Sequence, residues 1–324
     1  MYTMRFDMRA PAGGASTPEL YAAAVDMAAF AEDNGGLACV ISEHHASPDG
    51  YIPSPMMLAS AMAARTTRMP ISIAALLLPF ADPIRLAEDM MVLDTISNGR
   101  VMYTLALGYR PEEFEMFGIP WDERGKVADE KLALLLQAVK GEPFEHDGRR
   151  IHVTPAPVTP GGPKISWGGG TKAAARRAAR HGLDMFGQID KPGVREVYEA
   201  TCREQGREPG MCMLPPLDSV TTAFVADDVD RAWEEVGPSI LHDVKMYGAW
   251  NPEAGTAASI SHAQTVDDLR AEQGPHRIYS VDEAIALVKG GGMIPLMPLC
   301  GGVPPDVAWR YLRIVTDQVM PAIA

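Results

Sequence analysis

Four cysteines in 324 residues leave little to cross-link. Cys39, Cys202, Cys212 and Cys300 are scattered without paired spacing. That argues against a disulfide framework and for reduced thiols in a cytoplasmic setting. Cationic side chains are also scarce, with 29 Lys and Arg against 42 Asp and Glu and a formal net charge of −13. Nucleic acid and anionic membrane surfaces are therefore poor partners. No apolar run approaches the length that spans a bilayer, and the stretch from Met1 to Arg9 lacks the apolar centre of a signal peptide. HExxH is missing, as are a Walker loop, a dinucleotide fingerprint and any repeat of fixed period. Zinc hydrolases, P-loop enzymes, Rossmann dehydrogenases and solenoids thus lose their usual carriers, and no metal is expected.

What the chain does have is an apolar complement of 47% with 22% charged residues, ordinary for a globular enzyme with a large core. Short apolar runs alternate with amphipathic stretches. Strands are expected at 4–9, 37–41, 71–78, 101–107, 164–167, 183–188, 221–225 and 294–299, the second of them buried on both faces. Helices are expected at 17–34 (capped by Thr17), 56–66, 83–97, 126–140, 172–181, 193–205, from 229, and over the final residues. Asp147-Gly148 marks a short hairpin inside a Pro- and Gly-rich break. Met56, Met57, Met62, Met90 and Met91 are expected to fill the core. Eight strand–helix units imply an α/β chain of 1–324 as one domain, closed into a (β/α)8 TIM barrel with parallel strands. Segments at about 142–163 and 245–278 break the pattern and are expected to be insertions or lids.

In such a barrel the active site gathers where strands end. Ser42-Glu43-His44-His45 follows the second strand, Ala74–Leu78 closes the third, Gly108–Arg110 the fourth and Gly168–Thr171 the fifth. Histidine beside a carboxylate can move protons near neutral pH. A pair of hydrogen-bonded histidines at the rim is the bland alternative, and the better one for His45. Gly168, Gly169, Gly170 and Thr171 precede a helix, so their N–H groups suit a phosphate, with Lys172 alongside; a tight turn that simply needs glycine reads equally well.

Taken with Glu43-His44-His45, Ala74-Ala75, the run Asp82–Asp89, Leu93–Arg100 and Phe114-Glu115-Met116-Phe117-Gly118, the sequence resembles the bacterial luciferase-like family of flavin-dependent monooxygenases. The resemblance covers roughly the first third of the chain and returns at the Gly169 turn and the last helix. It implies a barrel that binds reduced FMN, or the deazaflavin F420 in a sister branch. It makes His44 catalytic; the neighbouring Glu43 is expected to orient it. Ala74, Ala75 and Leu76 would lie behind the flavin ring, the first two joined by a non-prolyl cis peptide, and Gly168–Thr171 would meet the phosphate. Luciferases carry a cysteine and a phosphate-binding arginine where this chain has Ala106 and Leu107, and Arg110 is no obvious replacement. Three functions follow: a monooxygenase acting with O2 on a small apolar substrate and fed by a separate flavin reductase, an F420-dependent hydride-transfer enzyme, or a non-catalytic flavin-binding subunit. A homodimer is implied by the same analogy.

Overall fold

The computed structural model describes residues 1–251 and 260–323. Residue contacts divide the chain into two compact units. One comprises 1–41, 47–52 and 215–324; the other comprises 42–46 and 53–214.

In the first unit five parallel strands lie in the order His276–Ser280, Thr222–Ala226, Ile294–Leu296, Tyr2–Phe6, Gly36–Ile41. The Thr222–Ala226 strand is buried at every position, as parallel strands covered on both faces are. Gly36–Ile41 departs from the expected two-sided burial: Leu37 is 38% exposed, while Cys39 and Ile41 are buried. Ser16, rather than Thr17, caps the helix Thr17–Asp33, and the Glu19 carboxylate takes both the Ser16 N–H (3.0 Å) and its hydroxyl (2.6 Å).

Among the described residues, the segment expected to be irregular from 245 to 278 holds regular elements. The helix from Val229 runs on to Trp250, a second helix covers Val266–Glu272, and His276–Ser280 is a strand. Gly237, Pro238 and Gly248 interrupt the helical pattern in the sequence, and the strand His-Arg-Ile-Tyr-Ser is too polar to stand out. Part of this expected lid, 252–259, lies outside the described residues.

The second unit holds the order Ile71–Leu77, Val101–Ala106, Lys164–Gly168, Asp184–Phe186, Cys212–Met213, again all parallel. The two-residue strand at 212–213 has no signal of its own. Asp82 caps the helix Pro83–Ser97, accepting from Ile84 N–H (3.0 Å) and Arg85 N–H (2.9 Å). Asn98 ends it at φ 53° in the left-handed region. Met62, Met90 and Met91 are core residues as expected, whereas Met57 is 73% exposed. The hairpin at 144–151 forms with Asp147 (φ 49°) and Gly148 (φ 69°) at its turn, the two positive φ values that a two-residue primed turn demands. The loop after it is held down rather than loose, because the buried Asp94 carboxylate takes the N–H groups of Val158 (2.7 Å) and Thr159 (2.8 Å) and the Thr159 hydroxyl (2.6 Å).

Candidate active site

All the expected site residues fall in the second unit, at or just beyond strand ends. His44 and His45 are both buried, at 6% and 8% exposure. They face different partners. His45 Nε2 lies 2.9 Å from Glu43 Oε1, and Glu43 Oε2 accepts the Leu77 N–H at 2.7 Å. The His45 ring stands edge-on to Phe80 (5.4 Å) and Phe117 (4.8 Å), two rings that stack 4.7 Å apart. Glu43 thus joins His45 to the neighbouring strand, and aromatic rings wall the imidazole.

His44 turns to Glu113 instead. Its Nδ1 is 2.9 Å from Glu113 Oε1, and the same oxygen accepts the His45 N–H at 2.8 Å. Arg110 Nη1 donates to the His45 carbonyl (2.6 Å) and sits 3.3 Å from that Glu113 oxygen. The expected pairing of Glu43 with His44 is therefore corrected. Glu43 is taken up by His45, and the carboxylate for His44 comes from 69 residues away. Glu113 is fully buried. Burial pushes its carboxyl up, but the hydrogen bond and charge of His44, the His45 N–H and the Arg110 guanidinium outweigh that and hold it below the usual carboxylate range. On the other side of the ring, Tyr109 Oη is 3.0 Å from His44 Nε2, with the two rings edge-to-face at 5.2 Å.

Sequence reasoning missed Glu113, and it placed Tyr109 at the mouth within Gly108–Arg110 without giving it a role. The available signal was modest: Arg110-Pro111-Glu112-Glu113 opens the short helix Pro111–Met116 directly after the fourth strand. Arg110 is buried against His45 and Glu113.

Ala74 and Ala75 are joined by a cis peptide bond, and the pairing register shifts between Ala74 and Leu76. Both alanines are half-buried, as are Ala106 and Leu107 at the end of the neighbouring strand, whereas Leu76 is buried. Below them Thr104, the register partner of Ala74, shares a hydrogen bond with Ser166 (2.9 Å). At Gly168 a Cβ would come within 3.1 Å of Thr104 Cγ2, and at Gly169 (φ 145°) within 2.8 Å of Ala174 Cβ, so both glycines are needed for the turn itself. Gly170 differs, because a Cβ there would meet nothing within 4 Å. Thr171 caps the helix Lys172–His181 by accepting the Ala174 N–H at 3.1 Å. The Lys172 amine lies against Gly193 rather than over the turn, since a Cβ at Gly193 would meet its Nζ at 3.0 Å. Among the described residues no cluster of His, Cys, Asp and Glu is arranged to hold a metal ion, and no helix is long and apolar enough to cross a membrane.

A family model described as luciferase-like monooxygenase matches residues 4–289. The alkanal monooxygenase alpha chain of Photorhabdus luminescens is 24% identical over 203 residues, covering 60% of this chain and 56% of that one. The first curated relatives are matched over only 38% and 66% of their own length. Among solved structures, the oxygenating constituent of 3,6-diketocamphane monooxygenase from Pseudomonas putida, in complex with FMN, superposes with a TM-score of 0.71 at 21% identity over 100% of this chain and 98% of that one. The coenzyme F420-dependent tetrahydromethanopterin reductase of Methanopyrus kandleri gives 0.64 at 15% identity, over 100% and 99%. These likenesses establish the (β/α)8 fold expected from the alternating elements.

Proposed function

The chain belongs to the luciferase-like monooxygenase family, and from that premise we propose a flavin-dependent monooxygenase that uses reduced FMN and O2 to oxygenate a small apolar organic substrate. The observation that carries the reading is the His44 ring, fixed at one nitrogen by a buried carboxylate and bonded at the other to a hydroxyl. This is an acid–base group built for use, because a merely structural histidine needs no such pair of partners.

The residues present suit a flat ring with a phosphate tail. Ala74, Ala75 and Ala106 are small and half-buried at adjacent strand ends, leaving room for a planar group against the backbone. Gly170 faces open space, and the first N–H groups of the helix after Thr171 point the way an anion is bound. Reduced flavin supplies the electrons with which O2 is activated. The chain's own part is to hold the ring at Ala74–Leu76, anchor the phosphate at Gly168–Thr171, and move a proton through His44 while Glu113 stabilises the imidazolium. Having no dinucleotide fingerprint for NAD(P)H, the enzyme would take its cofactor from a separate flavin reductase. A homodimer and a cytoplasmic site of action rest on family analogy.

A second reading, F420-dependent hydride transfer, draws on the reductase neighbour and on the lack of a phosphate-binding arginine at Leu107. A third, a non-catalytic flavin-binding subunit, is disfavoured by the intact His44–Glu113 pair. Anaerobic titration with reduced FMN and with F420, side by side, tests the choice. Binding of reduced FMN alone supports the monooxygenase, binding of F420 alone selects the hydride-transfer enzyme, and binding of neither overturns both. Turnover that survives His44→Ala would remove His44 from the mechanism.

A further inference from the structure

We propose that Tyr109, not His44, is the group that exchanges protons with the bound reactants, with His44 and Glu113 forming a relay behind it. The inference rests on the acid–base reading of His44 just given and assigns the residue through which that chemistry is delivered.

The argument starts at Glu113 Oε1. This oxygen accepts the His45 N–H at 2.8 Å and has the Arg110 guanidinium 3.3 Å away. An oxygen so placed is a carboxylate acceptor, and the depressed pKa of Glu113 agrees. His44 Nδ1, 2.9 Å from the same oxygen, must therefore carry the hydrogen. The tautomer of the neutral ring follows: Nε2 holds the lone pair, and the Tyr109 hydroxyl at 3.0 Å donates to it. Both ring nitrogens are thus engaged on a side chain that is 6% exposed, while the phenol beyond it is half-buried at the end of the fourth strand. A reactant reaches the ring by way of the phenol.

The step balances. As the X–H bond of a bound acid breaks, its proton joins the Tyr109 oxygen and X keeps the electron pair. The former Tyr109 proton passes to His44 Nε2, forming an N–H bond. The resulting imidazolium lies against the Glu113 carboxylate, and reversal of the sequence returns the proton. Glu43 and His45 pair with each other and are not in the path.

The test reads the ring directly, without cofactor. Full-length protein labelled with 15N-histidine is compared with Tyr109→Phe, Glu113→Gln and His44→Ala, the last to assign the resonance. At neutral pH, His44 of the wild type is expected to be protonated at Nδ1, with Nε2 unprotonated and hydrogen-bonded. Tyr109→Phe should move Nε2 to a position without a donor and leave Nδ1 in place, whereas Glu113→Gln should disturb Nδ1. A protonated Nε2 in the neutral ring, or an Nε2 signal unmoved by Tyr109→Phe, overturns the proposal. In single turnover with loaded cofactor, Tyr109→Phe should slow the chemical step about 100-fold with unchanged cofactor affinity; an unaltered rate also overturns it. If neither reduced FMN nor F420 binds, the functional reading fails while the ring spectra still decide the tautomer. If a cofactor binds and the spectra disagree, only the role of Tyr109 falls.

Discussion

Two buried charge clusters, one in each unit, are built from the same residue types to opposite ends. In the second unit one carboxylate, Glu113, serves one histidine, and the far side of that ring leads to a half-buried phenol. In the first unit Arg9 is fully buried and surrounded. Its Nε lies 2.9 Å from Asp243 and 3.2 Å from Asp7, and its Nη1 lies 2.7 Å from Asp49. Its guanidinium sits over the rings of Trp250 (4.4 Å), Tyr51 (4.6 Å) and Tyr247 (5.1 Å). His242 and Ser47 bond Asp49, and Arg5 donates to the Tyr247 hydroxyl (2.7 Å). Here Arg9 gathers carboxylates from distant parts of the chain, tying residues 5–9, 47–51 and 242–250 together. The difference teaches that burial and ion pairing alone do not mark a site. What distinguishes His44 is that one of its partners, the Tyr109 hydroxyl, belongs to a half-buried residue, whereas the carboxylates around Arg9 are themselves buried.

The sharpest way to break the comparison is Arg9→Met. It strands three buried carboxylates and is expected to cost about 3–5 kcal/mol, a large part of a typical folding free energy. Denaturant midpoints measure it, and a loss below about 1 kcal/mol would place the cluster among surface ion pairs. His44→Ala is the opposite case. Turnover should fall by about 100-fold or more while the midpoint moves by only about 1 kcal/mol; equal damage to stability would make His44 structural.

pH sharpens the contrast further. Burial and the neighbouring Asp243 raise Asp7 to about 7 despite Arg9. Its folded pKa exceeds the ordinary value of 3.8, so the folded state holds a proton the unfolded chain has released, and stability drains away as pH rises between those values. The stability of Asp7→Asn relative to wild type should therefore improve from pH 5 to pH 8. Glu113 has the reverse sign: its contribution is present above the ordinary 4.5 and is lost as pH falls through its lower folded value. The advantage of wild type over Glu113→Gln should then shrink on acidification below pH 4.5. Calorimetric melting across pH checks both. The smallest effect is expected from Lys172→Ala. Since its amine packs against Gly193, cofactor affinity should change by less than about 0.5 kcal/mol, as titration would reveal.

The parallel α/β layout was legible because its strands are continuous apolar runs such as Ile71–Leu77 and Val101–Ala106, and because Asp82-Pro83 and Asn98-Gly99 punctuate a helix in plain sight. The strand His276–Ser280 was not, since its burial comes from pairing with Thr222–Ala226 rather than from its own composition. In the site, His44 and the Ala74-Ala75 bond could be named from a family resemblance. Its true carboxylate could not, because side-chain pairing across 69 residues depends on the direction each strand end takes, and adjacency in sequence pointed to Glu43.

Of the four thiols, Cys39, Cys202 and Cys300 are buried and Cys212 is half-buried. The native protein thus carries its own clock. A thiol-reactive dye should modify one site quickly and the other three only as fast as the chain opens, so the slow phase reports unfolding rates for every variant above without an introduced label.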